Sequence, residues 1–215
     1  MKYLSLIVVF LFFSCGNKED ILLPKSNVTI VNDVQDHSPI YIFFRTKDKD
    51  TLAEVNRKNS IITTNWILNI DKRLTLRLVI PEVMKLQDKK RKEKAHKNEK
   101  AQNYYSYADS IGKNMAFIPF TKVYYKMGKP PVFESFLRFK KGGMIEFNQS
   151  NEYPFPKEEL ENFINNLFIE HESEIIFSFD KNMSYGEYIQ CKIIIEKLKI
   201  TKKGIWINHE KEFIF

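Results

Sequence analysis

A chain of 215 residues, 43% hydrophobic and 28% charged, is long enough for one compact domain or two small ones and too apolar to be disordered. Seven glycines leave little material for glycine-rich nucleotide loops, and two cysteines, Cys15 and Cys191, exclude a disulfide scaffold or a cysteine-rich zinc site. The formal charge is +7, from 34 basic and 27 acidic side chains.

The chain opens MKYLSLIVVFLFFSC, with a cationic start at Lys2 and an apolar run over residues 4–13. At ~1.5 Å per residue that run crosses about half of a ~30 Å hydrocarbon core. It therefore reads as a signal-peptide core, not as a membrane anchor. Ser14 places a small residue directly before Cys15. This arrangement resembles the lipobox of bacterial lipoproteins. The resemblance implies a signal peptide over 1–14, a palmitate-bearing Cys15 holding the protein to the membrane, and a place in the cell envelope, at the outer membrane. Residues 15–36 are then expected to be a lipidated tether. Within it, Lys18-Glu19-Asp20 resembles the acidic export signal of some surface lipoproteins.

Strands are expected over 39–45 (PIYIFFR) and 61–70 (IITTNWILNI), both rich in β-branched and aromatic residues. From Thr75 the apolar period turns helical through Leu78, Val79, Val83 and Leu86. The helix is expected to run on through the charged stretch 85–100, to take in Tyr104, Tyr105 and Tyr107, and to end at Gly112. That stretch, KLQDKKRKEKAHKNEK, holds eight basic and three acidic residues, so most of the net charge is local. Lys89, Lys90, Arg91 and Lys92 form its candidate patch for an anionic ligand, and the three tyrosines could stack on a saccharide. The competing reading is a solvated helix face braced by Asp88/Lys92 and Glu93/Lys97 at i,i+4. Residues 116–126 (AFIPFTKVYYK) follow as one strand and GKPP as a turn.

In the last third, 136–140 and 144–148 flank Lys141-Gly142-Gly143 as a hairpin. Pro156 opens a helix striped by Leu160, Phe163, Ile164 and Leu167. Residues 174–180 (EIIFSFD) read as a strand, and Ser184 with Glu187 forms a capping box for the next helix. Cys191 falls on that helix among isoleucines and is expected to be buried. A terminal strand, IWINHEKEFIF, closes a ββαβαβ order. The class is α+β: a mixed or antiparallel sheet with helices on one face. The division expected is an N-terminal α+β region at 37–135, with the long charged helix, and a second α+β region at 136–215.

That order, with Asp180-Lys181 ending a strand and Tyr185-Gly186 opening the next helix, resembles the periplasmic domain of the ExbD/TolR biopolymer-transport family. The resemblance covers residues 136–215. It implies contact with envelope partners, TonB-like or peptidoglycan-associated, and makes Asp180, Lys181, Tyr185 and Gly186 candidate partner-binding residues. The family's transmembrane helix with a proton-binding aspartate has no counterpart here, so the implied role is an interaction or scaffold module without its own proton-conducting helix. Two alternatives stand beside it: a surface lipoprotein for an anionic or saccharide ligand, and an inner-membrane transport accessory. Sliding Asp71-Lys72 onto Asp180-Lys181, an offset of 109 residues, lays Leu74 on Met183 and Thr75 on Ser184. The N-terminal half is thus a candidate degenerate second copy.

Catalysis would need a nucleophile, a base and an orienting group. His37, His96, His171 and His209 are scattered, no metal-ligand spacing, GxSxG or Walker sequence occurs, and no cofactor motif is present. The expectation is a non-catalytic protein with neither metal nor cofactor. Nucleic acid is excluded as a partner by the export signal.

Overall fold

The computed structural model describes residues 20–93, 98–149, 153–168 and 171–215. The signal segment, Cys15, the start of the tether, His96 and Lys97 lie outside them. Among the described residues there are two mixed sheets and three α-helices, an α+β fold as expected. Sheet one contains β1 (Lys25–Ser26), β2 (His37–Lys47), β3 (Asp50–Asn56), β4 (Asn65–Ile70), β5 (Asn103–Asp109) and β6 (Asn114–Pro119). Its order is β1-β5-β4-β2-β3, with β6 also on β5. Sheet two contains β7 (Tyr124–Met127), β8 (Ser135–Phe139), β9 (Met144–Phe147), β10 (Phe155–Pro156), β11 (Ser173–Phe179) and β12 (Ile205–Ile214), in the order β7-β12-β11-β8-β9-β10. The helices are α1 (Leu76–Lys92), α2 (Leu160–Asn166) and α3 (Tyr185–Glu196).

The two sheets share one plan. Each has a leading strand, an antiparallel hairpin, a strand parallel to the hairpin's first arm, a crossover helix and a closing parallel strand. The central strands β4 (NWILNI) and β11 (SEIIFSF) are buried along most of their length. Near-continuous apolar runs are what parallel strands covered on both faces require.

The crossover helices begin where the sheets meet. Thr75 and Ser184 form an antiparallel bridge. Leu76 N donates to Met183 O (3.0 Å) and Arg77 N to Lys181 O (2.9 Å); reciprocally, Tyr185 N donates to Leu74 O (2.7 Å) and Gly186 N to Lys72 O (3.0 Å). A helix leaves its first N–H groups without intrahelical partners; here each corner supplies carbonyls to the other. At the opposite end, residues just ahead of β5 and just after α3 line one cleft. The parallel strands of both sheets therefore point the same way, toward the paired corners. Apolar residues of both inner sheet faces, α1, α2 and α3 pack into one continuous core. Leu160 and Ile164 of α2 pack into that core together with the buried residues of α3.

Two expectations about elements are corrected and one strand is added. The helix ends at Lys92, and 103–109 is β5. Tyr105 and Tyr107 point into the core while Tyr104 packs on the other face, a period of two that pairing with β4 enforces. Residues 116–126 are two strands in different sheets, parted after Pro119. Residues 50–56, to which the sequence assigned no element, form edge strand β3 against β2. The N-terminal segment runs against sheet one: Lys72 N donates to Leu22 O (2.8 Å), Ala108 N to Pro24 O (2.8 Å), and Val31 pairs with Phe117.

Candidate functional site: a cleft floored by a buried ion pair

At the end opposite the corners, a cleft of about 500 Å³ opens between the β6–β7 connection and α3 with β12. Its walls include Pro119, Phe120, Val123, Ile195, Leu198 and Ile207, while Lys122, Glu196, His209 and Glu210 supply charge and polarity. The β6–β7 wall is held by α1: Gln87 Nε2 donates to Phe120 O (3.2 Å) and Val123 O (3.1 Å), and Arg91 donates to Thr121 O (2.9 Å) and Val123 O (3.1 Å).

The other wall is shaped by an irregularity in β12. Between Ile207, opposite Ile175, and Glu212, opposite Phe177, the chain takes five steps to its neighbour's two. Such a bulge redirects side chains. It carries His209 and Glu210 to the cleft and turns Glu212 inward. Glu212 is buried and both its oxygens are occupied: Lys192 Nζ lies 2.7 Å from Oε1, and Tyr188 Oη donates to Oε2 at 2.7 Å. The chain of hydroxyls continues from Tyr188 to Tyr125 (3.3 Å) and to Tyr105 (2.7 Å). Burial drives all three tyrosines well above their ordinary pKa, with the Glu212 charge adding to it, so they stay neutral donors. Partial burial of its ring holds His209 below the usual imidazole range, with Lys192 pushing the same way and Glu196 and Glu212 opposing.

The four candidate partner-binding residues separate. Asp180 directly follows β11 and its Oδ1 accepts from Asn182 N (2.8 Å); Lys181 is exposed. Tyr185 is fully buried, edge-on to Tyr105 at 5.7 Å between centroids. Gly186 lies against the opposite corner, where a Cβ would meet Lys72 Cβ at 3.2 Å and Lys72 O at 3.3 Å. The Tyr-Gly pair thus serves the contact between the two corners. The capping box is formed, with Ser184 Oγ accepting from Glu187 N and Glu187 Oε2 accepting from Ser184 N.

The basic patch also divides. Lys89 is exposed, and Lys92 reaches Asp88 at 2.7 Å as the i,i+4 spacing predicted. Arg91 ties down the cleft wall and lies 4.0 Å from the Tyr124 ring centroid. Lys90 is buried, donating to Thr64 O (3.0 Å), Gln102 O (3.3 Å) and Asn103 Oδ1 (2.9 Å), with Trp66 alongside. Its burial lowers the ammonium pKa to about 8. Cys191 is buried as expected, and burial pushes its thiol up to about 12.

Among the described residues, no group of three or more His, Cys, Asp or Glu is placed to hold a metal ion, and no helix is long and apolar enough to cross a membrane. The cleft went unread in the sequence because the β12 bulge and the split of 116–126 leave no periodic signature. Lys192 did carry a signal, since it interrupts the apolar run of α3, whereas Glu212 follows the polar stretch 208–211 and carried none. Comparison with protein-family models, with characterised proteins and with solved structures returned no match.

Proposed function

We propose that this chain is a non-catalytic envelope lipoprotein that binds another envelope component in the cleft, acting as an interaction or scaffold module. The observation that carries this reading is the state of the cleft's polar floor. Glu212 has both oxygens engaged, and Lys192 and Tyr188 are bonded to it. An ion pair closed upon itself offers neither base nor nucleophile, whereas apolar walls with a charged rim suit binding. The lipobox at Cys15 supports the envelope location. The ExbD/TolR-like reading, and a duplicated origin for the two halves, draw support from the shared strand order and from the paired corners at the 109-residue offset. Asp180 and Lys181 remain candidate partner contacts at the surface.

The test is in-cell photocrosslinking from a reactive side chain placed at Thr121 or Leu198, with the exposed hairpin residue Lys49 as the control position. The expected result is one discrete adduct, to an envelope protein or cell-wall polymer, from the cleft positions alone. Equal yields from cleft and control would defeat the reading.

A further inference from the structure

The molecule has two unlike ends, and the anchor belongs to one of them. Leu22 is bonded twice at the first corner: its N–H donates to Asp71 Oδ2 (3.3 Å) and its carbonyl accepts from Lys72 N. Cys15 precedes Leu22 by seven residues, so the sulfur carrying the lipid cannot lie more than about 25 Å from that corner, at ~3.6 Å per extended residue. Alpha1 starts at the corner and runs away from it for 17 residues, or about 25 Å at ~1.5 Å per residue. The cleft and the basic end of α1 are thus at the limit of the tether's reach, while the corners sit well inside it.

The corner end is also the right surface for anionic headgroups. Lys25, Arg77, Lys113, Lys141 and Lys181 are exposed there, and Lys72 is half-buried. Of the acids at this end, Asp48 and Asp50 stand exposed on the β2–β3 turn and Asp180 is half-buried beside Lys181, while three others are consumed internally. Asp71 is buried and clasped by Arg73, whose hydrogen bond holds its carboxyl low against the cost of burial. Asp109 accepts from Thr29 Oγ1 and from Ile111 N and Gly112 N, and Glu187 is engaged with Ser184 and Gly142. Leu22 and Ile111 add exposed aliphatic side chains, 45% and 73% accessible, between those cations. A lipid chain with an adjacent basic surface is the usual two-part membrane attachment.

We propose that the paired-corner end lies on the leaflet that holds the Cys15 lipid, with Lys72, Arg77, Lys141 and Lys181 against anionic phospholipid headgroups and the cleft directed away from the membrane. This rests on the lipoprotein reading above. It sets the basic end of α1 at the distal side, beside the cleft, and not on the anchoring membrane.

The experiment uses the full lipidated chain in phosphatidylcholine vesicles, with or without phosphatidylglycerol, and headgroup-quencher lipids. A fluorophore is placed through Lys181→Cys or Leu198→Cys. The expected result is quenching several-fold stronger at position 181 than at 198, dependent on phosphatidylglycerol and weakened by salt. Combining Lys72→Gln, Arg77→Gln and Lys141→Gln should abolish that dependence while the protein stays membrane-bound. Equal quenching, or stronger quenching at 198, would place the basic α1 end on the membrane and overturn the orientation. Failure of the lipoprotein reading is seen separately, as an unmodified Cys15 in the mass of the N-terminal peptide, and would remove the proposal with it.

Discussion

Thr75 and Ser184 face each other as a bridge pair, yet only one of them caps its helix. Ser184 Oγ accepts from Glu187 N at 3.2 Å, whereas Thr75 Oγ1 is buried without a hydrogen-bond partner. At the first corner Leu78 N donates to the Thr75 carbonyl (3.0 Å) instead of its hydroxyl, and Leu78 has no carboxylate to return the bond as Glu187 Oε2 does to Ser184 N and Oγ. The backbone relationship is reciprocal and the side-chain relationship is not, so the two corners should respond oppositely to loss of a hydroxyl. Ser184→Ala should cost ~1 kcal/mol, the usual worth of an N-cap. Thr75→Val should be neutral or stabilising by up to ~1 kcal/mol, because an unsatisfied hydroxyl is replaced by a methyl. Urea unfolding of the two variants checks the asymmetry; equal losses would mean that both hydroxyls contribute alike.

Gly186→Ala tests whether the corners are close-packed. In an ordinary helix the change gains ~0.5–1 kcal/mol. Here the new methyl meets Lys72 at 3.2–3.3 Å, and Lys72 is pinned by its bonds to Leu22 and Gly186. The expected sign is therefore reversed, a loss of ~1–2 kcal/mol as for other over-packed sites. Tyr185→Phe makes the companion test. Its hydroxyl is buried and unpartnered, so the variant should hold or gain stability, by ~1 kcal/mol at most. A thermal melt showing Gly186→Ala more stable than the parent would mean the corner yields easily.

How far the sequence could be read follows from which forces are local. The capping box, the glycine hairpin turn, the burial of Cys191 and the offset relating the two corners were legible, because each depends on residues near one another in the chain or on a repeated pattern. Gly142 and Gly143, both at positive φ, mark the turn where the sequence placed it. The strand at Tyr104–Tyr107 was hidden, because a charged helical run precedes it and its partner β4 lies 37 residues back at the Trp66–Asn103 pair. Residues 116–126 hold two strands of different sheets, a long-range choice that no local propensity makes. The cleft depends on both of these, which is why its residues did not stand out as a set.

The buried pair at the cleft floor should be strongly coupled. Lys192 and Glu212 are each 1% exposed and 2.7 Å apart. Glu212→Gln leaves an ammonium without its counter-charge, and Lys192→Met leaves a carboxylate; each should cost ~3–5 kcal/mol. The double variant keeps an acceptor for Tyr188 and removes both charges, so it should recover most of the loss. Additive losses in the double-mutant cycle would contradict a closed pair.

Lys90 predicts a pH dependence with a definite sign. Its ammonium titrates near 8 in the folded protein against an ordinary 10.5, because burial disfavours the charge. Between those values the unfolded chain binds more protons, so the contribution of Lys90 rises with pH from about 8 to about 10.5 and is lost again as pH falls through 8. Since water reaches part of the side chain, the rise should be on the order of 1–2 kcal/mol, less than the full shift. The buried tyrosines act in the opposite direction above pH 10, so the comparison is with Lys90→Met at each pH, which cancels them. A stability difference that stays flat from pH 7.5 to 10 would mean that Lys90 stays charged in the fold.

Thiol chemistry gives the last test, and it reports on both cysteines at once. The Cys191 thiol is 1% exposed and pushed up to about 12 by burial. The thiolate is the reactive form, so in the native protein at pH 8 Cys191 should resist a disulfide-forming reagent for as long as the fold stays closed. Unfolding in guanidinium should release one reactive thiol per chain if Cys15 carries lipid, and two in a protein expressed without lipid attachment. Rapid reaction of Cys191 in the native state would show that α3 opens from sheet two on the timescale of labelling. A second thiol in the membrane-extracted protein would show that Cys15 carries no lipid.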